Sequence, residues 1–258
     1  MLRSAFYVVL SIIFINLISC VAVSEKNISH EKVAEANVSL AAEYFRQNRL
    51  ANALANLKKA LKANPDHVEG NVMIALVYSK LQDPEQTRKY FEIAEELVDE
   101  ETTIYGNVHN NFGTFLCAEN NIIEANEHFM LAAENKLYST PQVAYENSGH
   151  CWLKRPDLER AKANFKKALK IDQRLSRSLW QLSSIAFQES DYTLSRQYLE
   201  KYEKLTVLDP DVLLLKIRIE KALNGDRVQE LVKELNEKFP NSDAAKKWAE
   251  ERWVMEEL

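Results

Sequence analysis

From about residue 34 onward, apolar and small residues recur at helical spacing, in the same order, with a period near 34 residues. Ala53-x3-Leu57-x2-Ala60 is followed by Thr87-x3-Phe91-x2-Ala94, Ala125-x3-Phe129-x2-Ala132 and Ala161-x3-Phe165-x2-Ala168. Steps of three and four residues place each small–large–small triplet on one face of a helix. An aromatic such as Tyr44, Tyr78 or Trp152 stands on a preceding helix, and short polar stretches separate the two. The pattern predicts a pair of antiparallel helices per period. Small residues let the backbones approach, and large ones fill the holes beside them. One such pair cannot bury its own apolar face, so the pairs must stack on one another.

Six units follow from this register: residues 34–67, 68–101, 106–139, 142–175, 176–209 and 210–243, with 244–258 as a capping helix. The expected core of the first is Leu40, Ala41, Tyr44, Ala53, Leu57 and Ala60. Later units place Ile74, Phe91, Phe112, Phe129, Trp152, Phe165, Leu179, Leu182 and Leu199 inside. The sixth keeps only the helix–turn–helix form, around Asn224-Gly225-Asp226. Prolines sit where helices must stop: Pro65, Pro141, Pro210 and Pro240 between units, Pro84 and Pro156 in turns within them. Residues 31–258 therefore read as one all-α repeat domain.

The segment ahead of it reads differently. Arg3 precedes an apolar run from Ala5 to Ile18, too short to cross a bilayer, which needs about 20 residues. Leu17-Ile18-Ser19-Cys20 resembles a bacterial lipobox. That resemblance implies a signal peptide over 1–19, lipidation at Cys20, and a tether over 20–30. Val21, in place of an aspartate, implies an outer-membrane address on the periplasmic face. An ordinary cleaved signal and an uncleaved anchor are the competing readings.

A 34-residue period is the length of tetratricopeptide repeats, so the expected fold is a right-handed tetratricopeptide superhelix of about six repeats. The middle of the chain narrows this. Asn110-Asn111-Phe112-Gly113-Thr114-Phe115-Leu116, then Glu124-Ala125-x3-Phe129, Asn135-Lys136-Leu137-Tyr138 and Glu146-Asn147-Ser148-Gly149 resemble the PilW/PilF-type pilotins, type IV pilus biogenesis lipoproteins. Extra residues before Gly106 and after Ser139 bracket that stretch. Ser148 and Cys151-Trp152 depart from the family's pattern. The resemblance implies a noncatalytic adaptor that binds the pilus outer-membrane secretin and promotes its localisation and multimer assembly. A general periplasmic adaptor for cell-wall hydrolases or a protease is the alternative.

Helix periodicity also names the open face of each first helix. In the first two repeats it carries Val38, Ala42, Phe45, Val72 and Leu76, an apolar strip suited to a partner peptide. Further along it carries Asn110, Thr114, Glu146 and Trp180, with Phe187 beside Trp180 or turned toward the sixth repeat. Arg177 and Arg218 stand isolated, short of a full carboxylate clamp.

The remaining composition bounds the chemistry. The chain is 46 % hydrophobic and 28 % charged, with a net charge of −5 and no free basic cluster in sequence, which argues against nucleic acid. No phosphate-cradling loop or nucleophile elbow occurs, so neither catalysis nor a cofactor is expected. His109, Cys117, His150 and Cys151 lack metal-ligand spacing. The usual separation of neighbouring helices, about 9–10 Å, favours thiols over a disulfide at Cys117 and Cys151 without deciding it.

Overall fold

The computed structural model describes residues 30–155 and 157–256, with side chains described through Glu251. The expected signal peptide, Cys20, nearly all of the tether, Pro156 and the Trp253 side chain lie outside the described residues. Among the described residues every regular element is a helix. These are α1 (30–46), α2 (Leu50–Ala63), α3 (Val68–Lys80), α4 (Pro84–Leu97), α5 (Tyr105–Ala118), α6 (Ile122–Glu134), α7 (Pro141–Leu153), α8 (Leu158–Ile171), α9 (Ser176–Gln188), α10 (Tyr192–Glu203), α11 (Pro210–Ala222), α12 (Val228–Lys238) and α13 (Asp243–Glu256).

Local chemistry explains where they begin and end. Pro84, Pro141 and Pro210 open their helices, where a missing N–H costs nothing. Asp83, Asp157 and Asp191 accept hydrogen bonds from the backbone N–H groups of Gln86, Arg160 and Leu194, capping α4, α8 and α10. The turns after α1, α3, α5, α9 and α11 use a left-handed residue: Asn48, Gln82, Asn120, Ser190 and Asn224 have φ of 57°, 60°, 64°, 61° and 53°. That conformation directs the second helix back along the first within about three residues.

The helices form two compact units. One holds the described residues through Glu119 together with Asn135–Ser139; the other holds Asn120–Glu134 and everything described from Thr140 onward. The boundary between them falls inside the third repeat. In the first unit, Ala41, Ala53, Leu57, Ile74 and Val77 make one buried cluster. Phe91 then stacks on Phe112 at 5.3 Å between ring centroids. Each aromatic ring removed from water contributes about 1.5–3 kcal/mol. In the second unit, successive helices from α6 to α11 pack on their neighbours, and α12 and α13 close the end on α11. The triplets Ala125/Phe129/Ala132 and Ala161/Phe165/Ala168 are buried there.

Four large residues at core spacing lie less deep than that spacing implies. Leu40 is 45 % exposed, lying off the side of α1 that packs on the Ala41/Leu57/Ile74 cluster. Tyr44, Tyr78 and Tyr202 are only half-buried, packing along the edges of their clusters.

Candidate partner-binding surfaces

In the first unit the expected apolar strip lies on α1 and α3. Val38 and Phe45 pack partly against the Ile74/Val77 cluster. A β-carbon on Gly70 would lie 3.4 Å from Val38 Cγ2, so the missing side chain at 70 lets α3 close on α1. Val72 is buried, while Ala42 and Leu76 stay half-exposed beside it. The Lys80 ammonium stands 5.6 Å from the Phe45 ring. The strip is thus part interior and part surface, and its available apolar atoms belong to Val38, Ala42, Phe45 and Leu76. Asn110 and Thr114, on α5, differ in kind. Thr114 is exposed and donates its hydroxyl to the Asn110 carbonyl at 2.8 Å.

In the second unit, Glu146 is buried and corrects the expectation of an open-face acid. Its Oε1 accepts from the Ser178 backbone N–H at 3.0 Å and from the Ser178 hydroxyl at 2.8 Å, tying α7 to α9. Arg177 lies 4.0 Å from its other oxygen. Arg218 is likewise not isolated: its guanidinium pairs with Glu251 on α13 through two contacts. Trp180 is turned inward, 5.6 Å from the Tyr202 ring and against the Leu199/Val212/Leu215/Ile219 cluster.

The departures from the family pattern in the fourth repeat form one group. The Ser148 hydroxyl and the Trp152 indole N–H both donate to Asn126 Oδ1 on α6, at 2.8 and 2.9 Å. Arg160 lies over the Trp152 ring at 4.4 Å. Next to them, His150 packs edge-on to Phe165 at 5.1 Å, and its Nε2 is buried with no hydrogen-bond partner. Burial, aided by the nearby Arg177 charge, pushes its pKa down to about 4, so it is neutral at pH 7. Cys117 and Cys151 are both disulfide-bonded, which overrides the helix-spacing argument for thiols.

A cavity of about 800 Å³ opens on α9, α11 and α13. Phe187, Ala222 and Trp248 supply its apolar lining, with the Arg218–Glu251 pair at its edge. The Lys221 ammonium sits 5.5 Å from the Trp248 ring. The open-face spacing extended to the fifth and sixth repeats reaches Phe187, Arg218 and Lys221. It does not reach Trp248, because the capping helix carries no triplet to set its register.

Paired helices, buried triplets and partly apolar first-helix faces define a helical-repeat scaffold of the protein-binding type. Residues 34–67 match the family described as tetratricopeptide repeat. A Haemophilus influenzae protein named only as uncharacterised is 31 % identical over 154 residues, covering 60 % of this chain and 84 % of that one. The type IV pilus assembly protein PilF of Pseudomonas aeruginosa is 23 % identical over 212 residues, 80 % of this chain and 82 % of PilF. A solved PilF structure superposes with a TM-score of 0.75, covering 86 % of this chain and 99 % of that one at 22 % identity. PilW, titled a widely conserved type IV pilus biogenesis factor, superposes at 0.70 with 26 % identity, covering 84 % and 98 %. The chain belongs to the tetratricopeptide-repeat family. Within it, the chain is a homologue of the type IV pilus biogenesis proteins PilF and PilW.

Proposed function

We propose that this protein is a noncatalytic, lipid-anchored pilotin: an adaptor on the periplasmic face of the outer membrane. It binds the type IV pilus secretin and promotes that protein's localisation and multimer assembly. The observation that carries this reading is the match to PilW across nearly all of that chain at 26 % identity. The half-exposed apolar atoms of Ala42, Phe45 and Leu76 give an adaptor something to hold, since a partner helix or extended segment gains by covering them. Cys20 supplies the anchor: acyl chains contribute about 0.8 kcal/mol per buried CH₂, so several together do not dissociate readily.

The test is capture of the periplasmic portion of the pilus secretin by the purified protein, with deletion of the gene in parallel. Secretin retention, with loss of heat-resistant secretin multimers in the deletion strain, is expected. Normal multimers, or murein hydrolases or a protease crosslinked in the secretin's place, would overturn the reading. A Cys20→Ser chain that still fractionates with membranes at unchanged mobility would remove the anchor from it.

A further inference from the structure

A second concavity, of about 520 Å³, lies on the second unit between α8 and α10, away from the first-helix faces considered above. Lys166, Lys170, Arg174, Lys201 and Lys204 line it. None of the five forms an ion pair among the described residues, although cations elsewhere in this unit, Lys162, Arg196 and Lys216 among them, do. Glu203 holds Lys216 at 2.6 Å, Asp209 accepts from the Asp211 N–H, and Asp172 accepts from the Arg174 N–H. The floor between the cations is apolar, with Leu169, Leu179 and Leu205.

The two connections that flank this basin leave apolar side chains in water. Val207 is 88 % exposed, Ile171 50 %, and Leu205 and Leu208 36 % and 38 %. Both segments, α8 into α9 and α10 into α11, join one repeat to the next. Bare apolar side chains on the segments flanking four lysines and an arginine that form no ion pair among the described residues match the boundary of an anionic bilayer. There the apolar side chains enter the acyl region, and the long cationic side chains reach the phosphates. An acidic peptide would satisfy the cations but leave Val207 and Ile171 with no reason to be bare.

We propose that this edge of the second unit docks directly on an anionic phospholipid surface, with lipid phosphates in the basin and residues 205–208 inserted at the interface. The proposal does not rest on the identity of the protein partner. If lipidation occurs at Cys20, the edge supplies the second membrane contact that turns a tether into an oriented attachment.

The full chain carrying Cys20→Ser and Val207→Cys tests it. Cys117 and Cys151 are oxidised, so an environment-sensitive fluorophore has one thiol to take. Titration with vesicles of phosphatidylethanolamine and phosphatidylglycerol should blue-shift the probe and protect it from aqueous quencher. Vesicles of phosphatidylcholine should not. A Lys170→Glu/Lys201→Glu/Lys204→Glu chain, with unchanged helicity and melting, should need at least about tenfold more anionic lipid for half the shift. A probe at Ile123, in the first turn of α6, should stay in water throughout. A 207 probe that remains in water with anionic vesicles, or shifts equally on neutral ones, overturns the proposal. So does a probe shifted only by an acidic peptide.

Discussion

Gly106 lies directly against the ring of Tyr138: a β-carbon at 106 would fall 2.3 Å from Tyr138 Cγ and 2.6 Å from its Cβ. The two residues sit at opposite ends of the third repeat, one just after the four-residue insertion, the other in the bridge that follows α6. Asn135 Nδ2 donates to the Glu100 carbonyl at 2.8 Å, so the bridge is fastened to the insertion at both ends. The bridge and the start of α5, far apart in sequence, are therefore packed as one feature in space. Gly106→Ala should cost about 1–3 kcal/mol by overpacking, read from urea midpoints. In a Tyr138→Ala background the same change should cost almost nothing. Equal costs in both backgrounds would show that the ring is not what excludes the methyl group.

Asn126 serves two buried donors with a single oxygen. Asn126→Ala strands the Trp152 N–H and the Ser148 hydroxyl, and should destabilise by about 2–4 kcal/mol. Asn126→Asp keeps the acceptor and should recover most of that loss. Chemical denaturation of the two variants side by side checks the order.

His150 gives the fold a pH dependence of defined sign. Its pKa is about 4 when folded against an ordinary 6.5, so between those values the unfolded chain binds more protons. Its contribution is complete above pH 6.5 and is lost as pH falls toward 4, by at most about 3 kcal/mol. His150→Leu should flatten that part of the stability curve. A wild-type midpoint unchanged between pH 7 and 4.5 would show that His150 protonates without penalty.

Leu76 is the residue on which partner capture should turn in the first unit. Leu76→Arg should weaken secretin retention at least tenfold while shifting stability by no more than about 1 kcal/mol, since the side chain is half-exposed. Undiminished capture would move the interface to another face, the Phe187/Trp248 cavity being the next to test by Trp248→Ala.

The helices and their buried triplets were legible because small residues at fixed positions have one physical use, the close approach of backbones. Leu40 was misplaced because an apolar residue at helical spacing reads as core, whereas it lies off the side of α1 that meets α2 and α3. Glu146 was misplaced because a carboxylate on an open-face position looks solvated until its partner, Ser178, is known to lie one repeat away. The role of Asn126 was hidden for a similar reason: it is an ordinary helix-surface residue until Ser148 and Trp152 reach it. Periodicity reports which side of a helix a residue occupies. It cannot report which of the next repeat's side chains will arrive there.

The left-handed turn residues have a bearing on how such chains diverge. The sixth repeat has shed the small–large–small triplet, yet Asn224 keeps the same backbone twist as Asn48 and Asn120. A hairpin held by one φ angle and a few carbonyls leaves its helices free to exchange nearly every side chain, provided new ones fill the same space. Descent in these proteins should therefore be traceable through the corner long after the faces have changed. A search for worn-out repeats would do better to look for an asparagine, serine or glutamine at the bend than for the alanines.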